Sequence, residues 1–340
     1  MSTAQQFDPA AVPFGTVFAP RMAVAWYADG AWSSPEMRDT GALELHPGAH
    51  VLHYASTCFE GLKAFRWRDG NVHTFRLDRH VARMQKSAEL LCLPVPEAST
   101  LERMVVELAA ECAGEIPELP GALYLRPTLI GTEVNIGAAG SATAEACLYV
   151  LASPVGDYFR GGLRPLRVLI EDQHPRTTPE FGMAKTGGNY AAALRHVIRA
   201  RADHDADTVL FCPGGDVQET GASNFLLLND TEVLTKALDP SFLHGVTRDS
   251  ILTLARDLGY AVAERDFTVD ELLEWSRTGE AALSGTAAVL AGVGTFVHRD
   301  HLHVVGSGNV GRNTLRLRKA LTDVQSGRTP DPYGWLRRVE

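Results

Sequence analysis

Between Pro154 and Pro165 the sequence Pro-Val-Gly-Asp-Tyr-Phe-Arg-Gly-Gly-Leu-Arg-Pro is rich in turn formers and has no hydrophobic period. Neither a helix nor a half-buried strand runs through such a stretch. It interrupts a chain of 340 residues, which is longer than one hydrophobic core ordinarily serves. The expectation is therefore two domains: a smaller one over residues 13–154, an interdomain linker over 155–165, and a larger one over 166–340. Residues 1–12, polar and alanine-rich, are expected to form a disordered N-terminus.

Both halves alternate strand-like and helical patterns, so the fold class is α/β, mixed α+β. In the first half Met22–Tyr27, His50–His53, Leu62–Trp67 and Val72–Arg76 read as strands, the last two joined at Asp69-Gly70. Helices follow over Leu77–Leu91 and Leu101–Ala113, then strands over Ala122–Gly131 and Ala146–Ala152. The second half reads as strands over Leu166–Ile170, Asp207–Phe211, Phe225–Leu228, near Val233, and over Ala261–Arg265, Glu280–Leu283 and Val289–Val293. Its helices are expected over Tyr190–His204, Thr247–Leu258, Val269–Trp275 and Gly311–Thr322.

The formal charge of -9 disfavours nucleic-acid binding, which needs a basic stripe to neutralise phosphates. No stretch reaches membrane-spanning length and no secretory signal is visible. Five cysteines at wide spacing, with no C-x-x-C, suit reduced thiols in a cytoplasmic protein. No metal site is expected. His301 and His303 share a strand face but lack an acidic or thiol partner at ligand spacing.

The chain has only five lysines, and Lys185 stands among small residues in Ala184-Lys185-Thr186-Gly187-Gly188-Asn189-Tyr190. Where arginine supplies the ordinary positive charge, such a lysine suits a task guanidinium cannot perform: losing a proton and attacking a carbonyl. Taken alone, the motif fits a solvated loop lysine equally well. Glu219, in Glu219-Thr220-Gly221-Ala222-Ser223-Asn224, enters an apolar strand, where a buried carboxylate needs a cation; a strand-end acid is the plain alternative. Leu243-His244-Gly245-Val246-Thr247-Arg248 leads into a helix whose first N–H groups, at Val246 and Thr247, would face an anion, although Thr247 with Ser250 also suits ordinary capping. Ser284-Gly285-Thr286-Ala287-Ala288 adds a hydroxyl in a turn. Together the four segments fit pyridoxal 5'-phosphate: an amine for its aldehyde, a carboxylate for its ring nitrogen, Tyr190 for its ring hydroxyl and a helix start for its phosphate.

These motifs resemble those of the branched-chain amino acid aminotransferases of the fold-type IV pyridoxal-phosphate enzymes. The resemblance extends over nearly the whole chain. It includes Tyr54-Ala55-Ser56-Thr57-Cys58-Phe59-Glu60-Gly61-Leu62-Lys63-Ala64-Phe65, Arg83-Met84 and Tyr124-Leu125-Arg126-Pro127, and the four segments above. It implies a two-domain enzyme with a pseudo-barrel cofactor domain. It also implies that Lys185 is the Schiff-base lysine, with Glu219 and Tyr190 on the ring and Arg83, Val246, Thr247 and Thr286 around the phosphate. Read without it, Arg83 is a helix-surface charge. The same resemblance makes Phe18, Tyr54, Phe59, Tyr124, Tyr158 and Ala287 substrate-pocket residues, and Arg126 the receiver of the glutamate side-chain carboxylate.

The implied reaction moves an amino group between leucine, isoleucine or valine, or their 2-oxo acids, and the glutamate/2-oxoglutarate pair in a homodimer, with no nucleic acid or membrane partner. Four positions depart from the family pattern. Ala288 and Ala291 stand where mammalian members carry a redox-sensitive C-x-x-C, His244 replaces a common proline, and Ala222 stands where some relatives have threonine. The alternatives are a D-amino acid transaminase or aminodeoxychorismate lyase of the same fold, or a non-catalytic protein that binds phosphate ligands.

Overall fold

The computed structural model describes residues 13–156 and 162–339; the expectations for residues 1–12 and for Tyr158 lie outside the described residues. In chain order the elements begin β1 (Arg21–Ala28), β2 (Ala31–Trp32), β3 (Glu36–Asp39), α1 (His50–Tyr54), β4 (Thr57–Phe59), β5 (Leu62–Arg66) and β6 (Val72–Phe75). They continue α2 (Leu77–Leu90), α3 (Ala98–Glu111), β7 (Ala122–Gly131), β8 (Ala146–Val155), β9 (Leu166–Glu171), α4 (Gly187–His204), β10 (Thr208–Phe211), β11 (Asn224–Leu228) and β12 (Glu232–Thr235). The last are α5 (Val246–Asp257), β13 (Ala261–Glu264), α6 (Val269–Trp275), β14 (Glu280–Gly285), β15 (Val289–His298), β16 (His301–Val304), α7 (Arg312–Gln325) and β17 (Leu336–Val339).

The chain divides into one unit of Met1–Arg160 with Val324–Glu340 and another of Gly161–Asp323. The break falls inside the turn-rich stretch. The C-terminal segment departs from expectation: it leaves the second unit because β17 pairs antiparallel with β6, Leu336 opposite Phe75 and Val339 opposite Val72. A strand so short has too little period to betray its partner in the sequence.

The first unit is built on a nine-stranded sheet, β17-β6-β5-β7-β8-β1-β2, with β3 on β1 and β4 on β7. Its long central pair, β7 and β8, runs antiparallel in unbroken register from Ala122 opposite Val155 to Gly131 opposite Ala146. Period-two alternation then sorts the side chains. Leu123, Leu125 and Leu129 with Leu148, Val150 and Ala152 enter a core shared with Val81 and Met84 of α2 and Leu101, Met104, Val105 and Leu108 of α3. Tyr124, Arg126 and Thr128 project from the opposite face. Residues 50–53, expected as a strand, instead form helix α1, closed by Ala55 in the left-handed conformation (φ 51°). Four residues are too few to distinguish the two periods, and the tilted ring contact of His50 with Tyr54, centroids 4.9 Å apart, is the contact that spacing of four gives on a helix.

The second unit carries an eight-stranded sheet, β10-β9-β15-β14-β11-β12-β13, with β16 on β15. Pairs β9/β10, β9/β15 and β12/β13 are parallel and the others antiparallel. Its core joins Val168, Leu210, Phe225, Leu227, Leu234, Leu272 and Phe296. Helix α4 lies close to Val209 and Phe211 because Ala193 and Ala200 form its contact face. All five cysteines are free thiols, and all but Cys92 are buried. No described helix is long and apolar enough to cross a membrane.

Candidate active site

Lys185 lies immediately before α4, whose cap residue Thr186 is extended (φ -122°, ψ 148°). Its Nζ donates to Tyr190 Oη at 2.9 Å, so the lysine and the tyrosine one turn into the helix act as a pair. Asn189, for which the sequence suggests no role, fastens this loop. Its Nδ2 donates to the carbonyls of Phe181 and Ala184, both at 2.9 Å, and its Oδ1 accepts from Thr177 Oγ1 at 2.7 Å.

Glu219 is buried, as expected, but its cationic partner within the chain is a residue the sequence does not suggest. Arg176 Nη2 lies 2.7 Å from Glu219 Oε1, with both side chains only 4% exposed. Leu243 N also donates to Oε1 at 2.9 Å, and Asn224 Nδ2 donates to Oε2 at 3.2 Å. Arg176 further donates to the carbonyl of Gly182 at 3.0 Å, linking the loop of Lys185 to the carboxylate. A buried carboxylate is strongly unfavourable without such partners. Arg176 stands alone in a turn-rich segment, and nothing local marks an arginine whose partner lies 43 positions away.

Gly245, not Thr247, is the cap residue of α5, and it has no side chain to offer the first turn. Ser250 Oγ donates to the Val246 carbonyl at 2.9 Å, and Thr247 lies inside the first turn and not at the cap. Val246 and Thr247 sit in that first turn, both buried. Gly245 is required by close approach, since a Cβ there would come 1.9 Å from Asn224 Oδ1. Asn224 thus abuts the helix start and Glu219 alike. On the neighbouring strand Ser284 pairs with Asn224, which brings the following turn, with Thr286 and Ala287, to the same end of the sheet. Ser284 Oγ is buried and has no hydrogen-bond partner. Arg318 Nη1 holds the turn from behind by donating to the carbonyls of Ala288 and Leu290. The neighbouring Arg248 serves structure, donating to Lys236 O at 2.7 Å and Glu264 Oε2 at 2.9 Å.

In the first unit three of the expected pocket residues meet on one sheet face. Arg126 Nη2 donates to Tyr124 Oη at 2.8 Å, and its guanidinium carbon lies 4.7 Å from the centre of the Phe59 ring and 5.2 Å from that of Tyr124. Arg126 Nε is buried without a hydrogen-bond partner. Gly61 admits the Tyr124 hydroxyl, because a Cβ at position 61 would lie 1.9 Å from it. Tyr54 is anchored differently: its ring packs on His50 and its hydroxyl donates to the Ile136 carbonyl. Phe18 is 50% exposed.

Arg83 is not a surface charge. Its Nε and Nη2 grip the two oxygens of Glu60 at 2.6 and 2.9 Å, and His80 Nδ1 adds a third contact at 2.7 Å. Burial alone would raise the Glu60 carboxyl. The Arg83 and His80 charges outweigh it and hold that group well below the usual carboxylate range. An acid next to Gly61 inside an apolar strand run is the signal in the sequence for this pair.

Fold and residue set together define a class. Residues 57–295 match the family described as Amino-transferase class IV, and the chain belongs to that family. Its relatives narrow the comparison: the chain is 36% identical over 341 residues to the branched-chain-amino-acid aminotransferase of Mycolicibacterium smegmatis, covering 96% of this chain and 92% of that protein. It is 34% identical over 342 residues to branched-chain-amino-acid aminotransferase 2 of Bacillus subtilis, covering 98% and 93%. Among solved structures, the branched-chain amino acid aminotransferase from Escherichia coli superimposes with a TM-score of 0.73 at 25% identity, over 94% of this chain and 99% of that one. The family resemblance in the motifs and the mixed α/β two-unit fold are both borne out.

Proposed function

We propose that this chain is a branched-chain amino acid transaminase that uses pyridoxal 5'-phosphate to move the amino group between leucine, isoleucine or valine and 2-oxoglutarate in a ping-pong cycle. The observation that carries this reading is the second unit's residue set. Lys185 is paired with Tyr190, Glu219 is buried on Arg176 and Asn224, and α5 starts at a glycine with Thr247 in its first turn. These fit the four polar handles of the cofactor: amine for aldehyde, carboxylate for ring nitrogen, Tyr190 for the ring hydroxyl, and backbone N–H groups and hydroxyls of Val246, Thr247 and Thr286 for phosphate. The family resemblance assigns Arg83 to phosphate binding as well, and within its own unit Glu60 fixes its orientation.

The cofactor, when bound, supplies an aldehyde for amine exchange and an electron sink for the α-carbon. Lys185 Nζ takes the α-proton of the substrate and returns it, a shuttle that requires a mobile amine. Tyr190 Oη, within hydrogen-bond reach, steadies Nζ between these positions. Glu219, fixed in place by Arg176, holds a proton on the ring nitrogen. Phe59 and Tyr124 offer an apolar wall to a branched side chain, and Arg126 offers its guanidinium to a carboxylate; the family resemblance also assigns Phe18, Tyr54, Tyr158 and Ala287 to substrate binding. We place the enzyme in the cytoplasm as a homodimer, as the reduced thiols and the resemblance imply.

An assay of L-leucine, L-isoleucine, L-valine and D-alanine as donors to 2-oxoglutarate tests this. Branched L-donors should lead by at least about tenfold. Preference for D-alanine would replace the proposal with the D-amino acid alternative.

A further inference from the structure

Apart from the cofactor residues, one cluster in the second unit unites chemistry the transaminase reaction does not use. Glu171 ends β9, His174 lies three residues on, and His196 sits midway along α4. Nδ1 of His174 lies 3.2 Å from Glu171 Oε1, and Nδ1 of His196 lies 3.3 Å from Glu171 Oε2. The three groups are the only set of His, Cys, Asp or Glu among the described residues whose ligand atoms gather so closely, all within 4.8 Å of one another.

We infer that Glu171, His174 and His196 form a binding site for a divalent transition-metal ion of the zinc class. Metal–nitrogen and metal–oxygen bonds of about 2.1 Å in a tetrahedron place neighbouring donor atoms roughly 3.4 Å apart, close to the 3.2 and 3.3 Å between each histidine nitrogen and its Glu171 oxygen. Two imidazoles and one carboxylate are borderline donors that select zinc, cobalt, nickel or copper over magnesium or calcium. The donors are also held in place. The Gln173 and His174 backbone N–H groups fix Glu171 Oε1 at 2.8 and 3.0 Å, and the His196 ring packs edge-on against Phe211 with centroids 5.6 Å apart. The two histidine rings stand 5.3 Å apart, and the His174 side chain is 65% exposed, so an ion has a way in and a fourth position open to water.

The set is not legible in the sequence, because His196 lies 25 positions from Glu171 and joins it only when α4 packs over β10 and Leu169 of β9. An ion here would tie β9 to the middle of α4. Those are the two ends of the segment that carries Lys185, so the site is a staple on the catalytic loop and not a catalytic group.

The test is a titration of the purified holoenzyme with Co2+, following the visible d–d bands, with a melting curve at each metal concentration. Wild type should take up one ion per chain with a rise in Tm, and His174→Ala and His196→Gln should each weaken binding by at least about tenfold. Cys92→Ser, which removes the exposed thiol, should bind as wild type does. The inference is overturned if the two histidine variants bind as tightly as wild type, or if wild type shows no saturable band. Neither result depends on transaminase turnover, so the site and the proposed reaction stand or fall separately.

Discussion

Lys185 takes its meaning from two neighbours, Tyr190 on its amine and Asn189 on its loop, and only the first is legible in the sequence. Lys185→Ala should leave far-UV circular dichroism and Tm close to wild type and abolish turnover; a variant keeping most of the activity would contradict the role. Arg176 is silent in the sequence, yet it holds the carboxylate of Glu219. Removing one member of a buried ion pair costs about 3–5 kcal/mol, so Arg176→Gln should lower Tm clearly and change the absorbance of bound cofactor through its ring nitrogen. An unaltered spectrum would show that Arg176 does not act on Glu219. Arg126 is legible only through family resemblance, since nothing in a strand sequence tells which face an arginine occupies. Losing a charge-assisted bidentate contact costs about 2–3 kcal/mol. Arg126→Leu should therefore cut kcat/KM for 2-oxoglutarate by about a hundredfold and leave kcat/KM for leucine within severalfold. Equal losses would refute that division of labour.

Elements with an apolar run bounded by turn formers are readable, and the shortest without one are not. Strand β7 occupies the expected residues because its ten residues are predominantly apolar, with alternation at residues 125–128, and α6 does so because Thr268 caps it, accepting from Glu271 N. Strands β2, β3, β4 and β17, two to four residues each, exist through their partners and carry no period of their own. The start of α5 shows the same limit: a phosphate-ready helix is legible, but that Gly245 caps it and touches Asn224 is not. Gly245→Ala forces a Cβ onto Asn224 Oδ1, and the first turn must shift. Cofactor affinity, measured by spectral titration, should fall at least about tenfold while the fold persists; unchanged affinity would remove α5 from the phosphate site. Helix α2 supplies an acid-sensitive contact of its own. Because the Glu60 carboxyl lies below its ordinary value of 4.5 when folded, its contribution to stability is complete above that pH and is lost as pH falls toward the folded value. Wild type should lose stability steeply below that point, and Glu60→Gln, already destabilised at neutral pH, should show a shallower loss. Parallel acid curves would contradict it.

At the scale of the molecule, the division of the chain is legible from one turn-rich segment, since a stretch without period must separate packed regions. The return of the C-terminus to the first unit is not, because it rests on pairing across the sequence from Val72 to Val339. The central claim joins Lys185, Glu219 and the α5 helix start into one pyridoxal-phosphate transaminase site. It is tested most directly by adding leucine to the purified yellow protein and recording its absorption spectrum, then adding 2-oxoglutarate. The account predicts that leucine bleaches the visible band and 2-oxoglutarate restores it, with no such cycle in Lys185→Ala. A spectrum indifferent to leucine would contradict it.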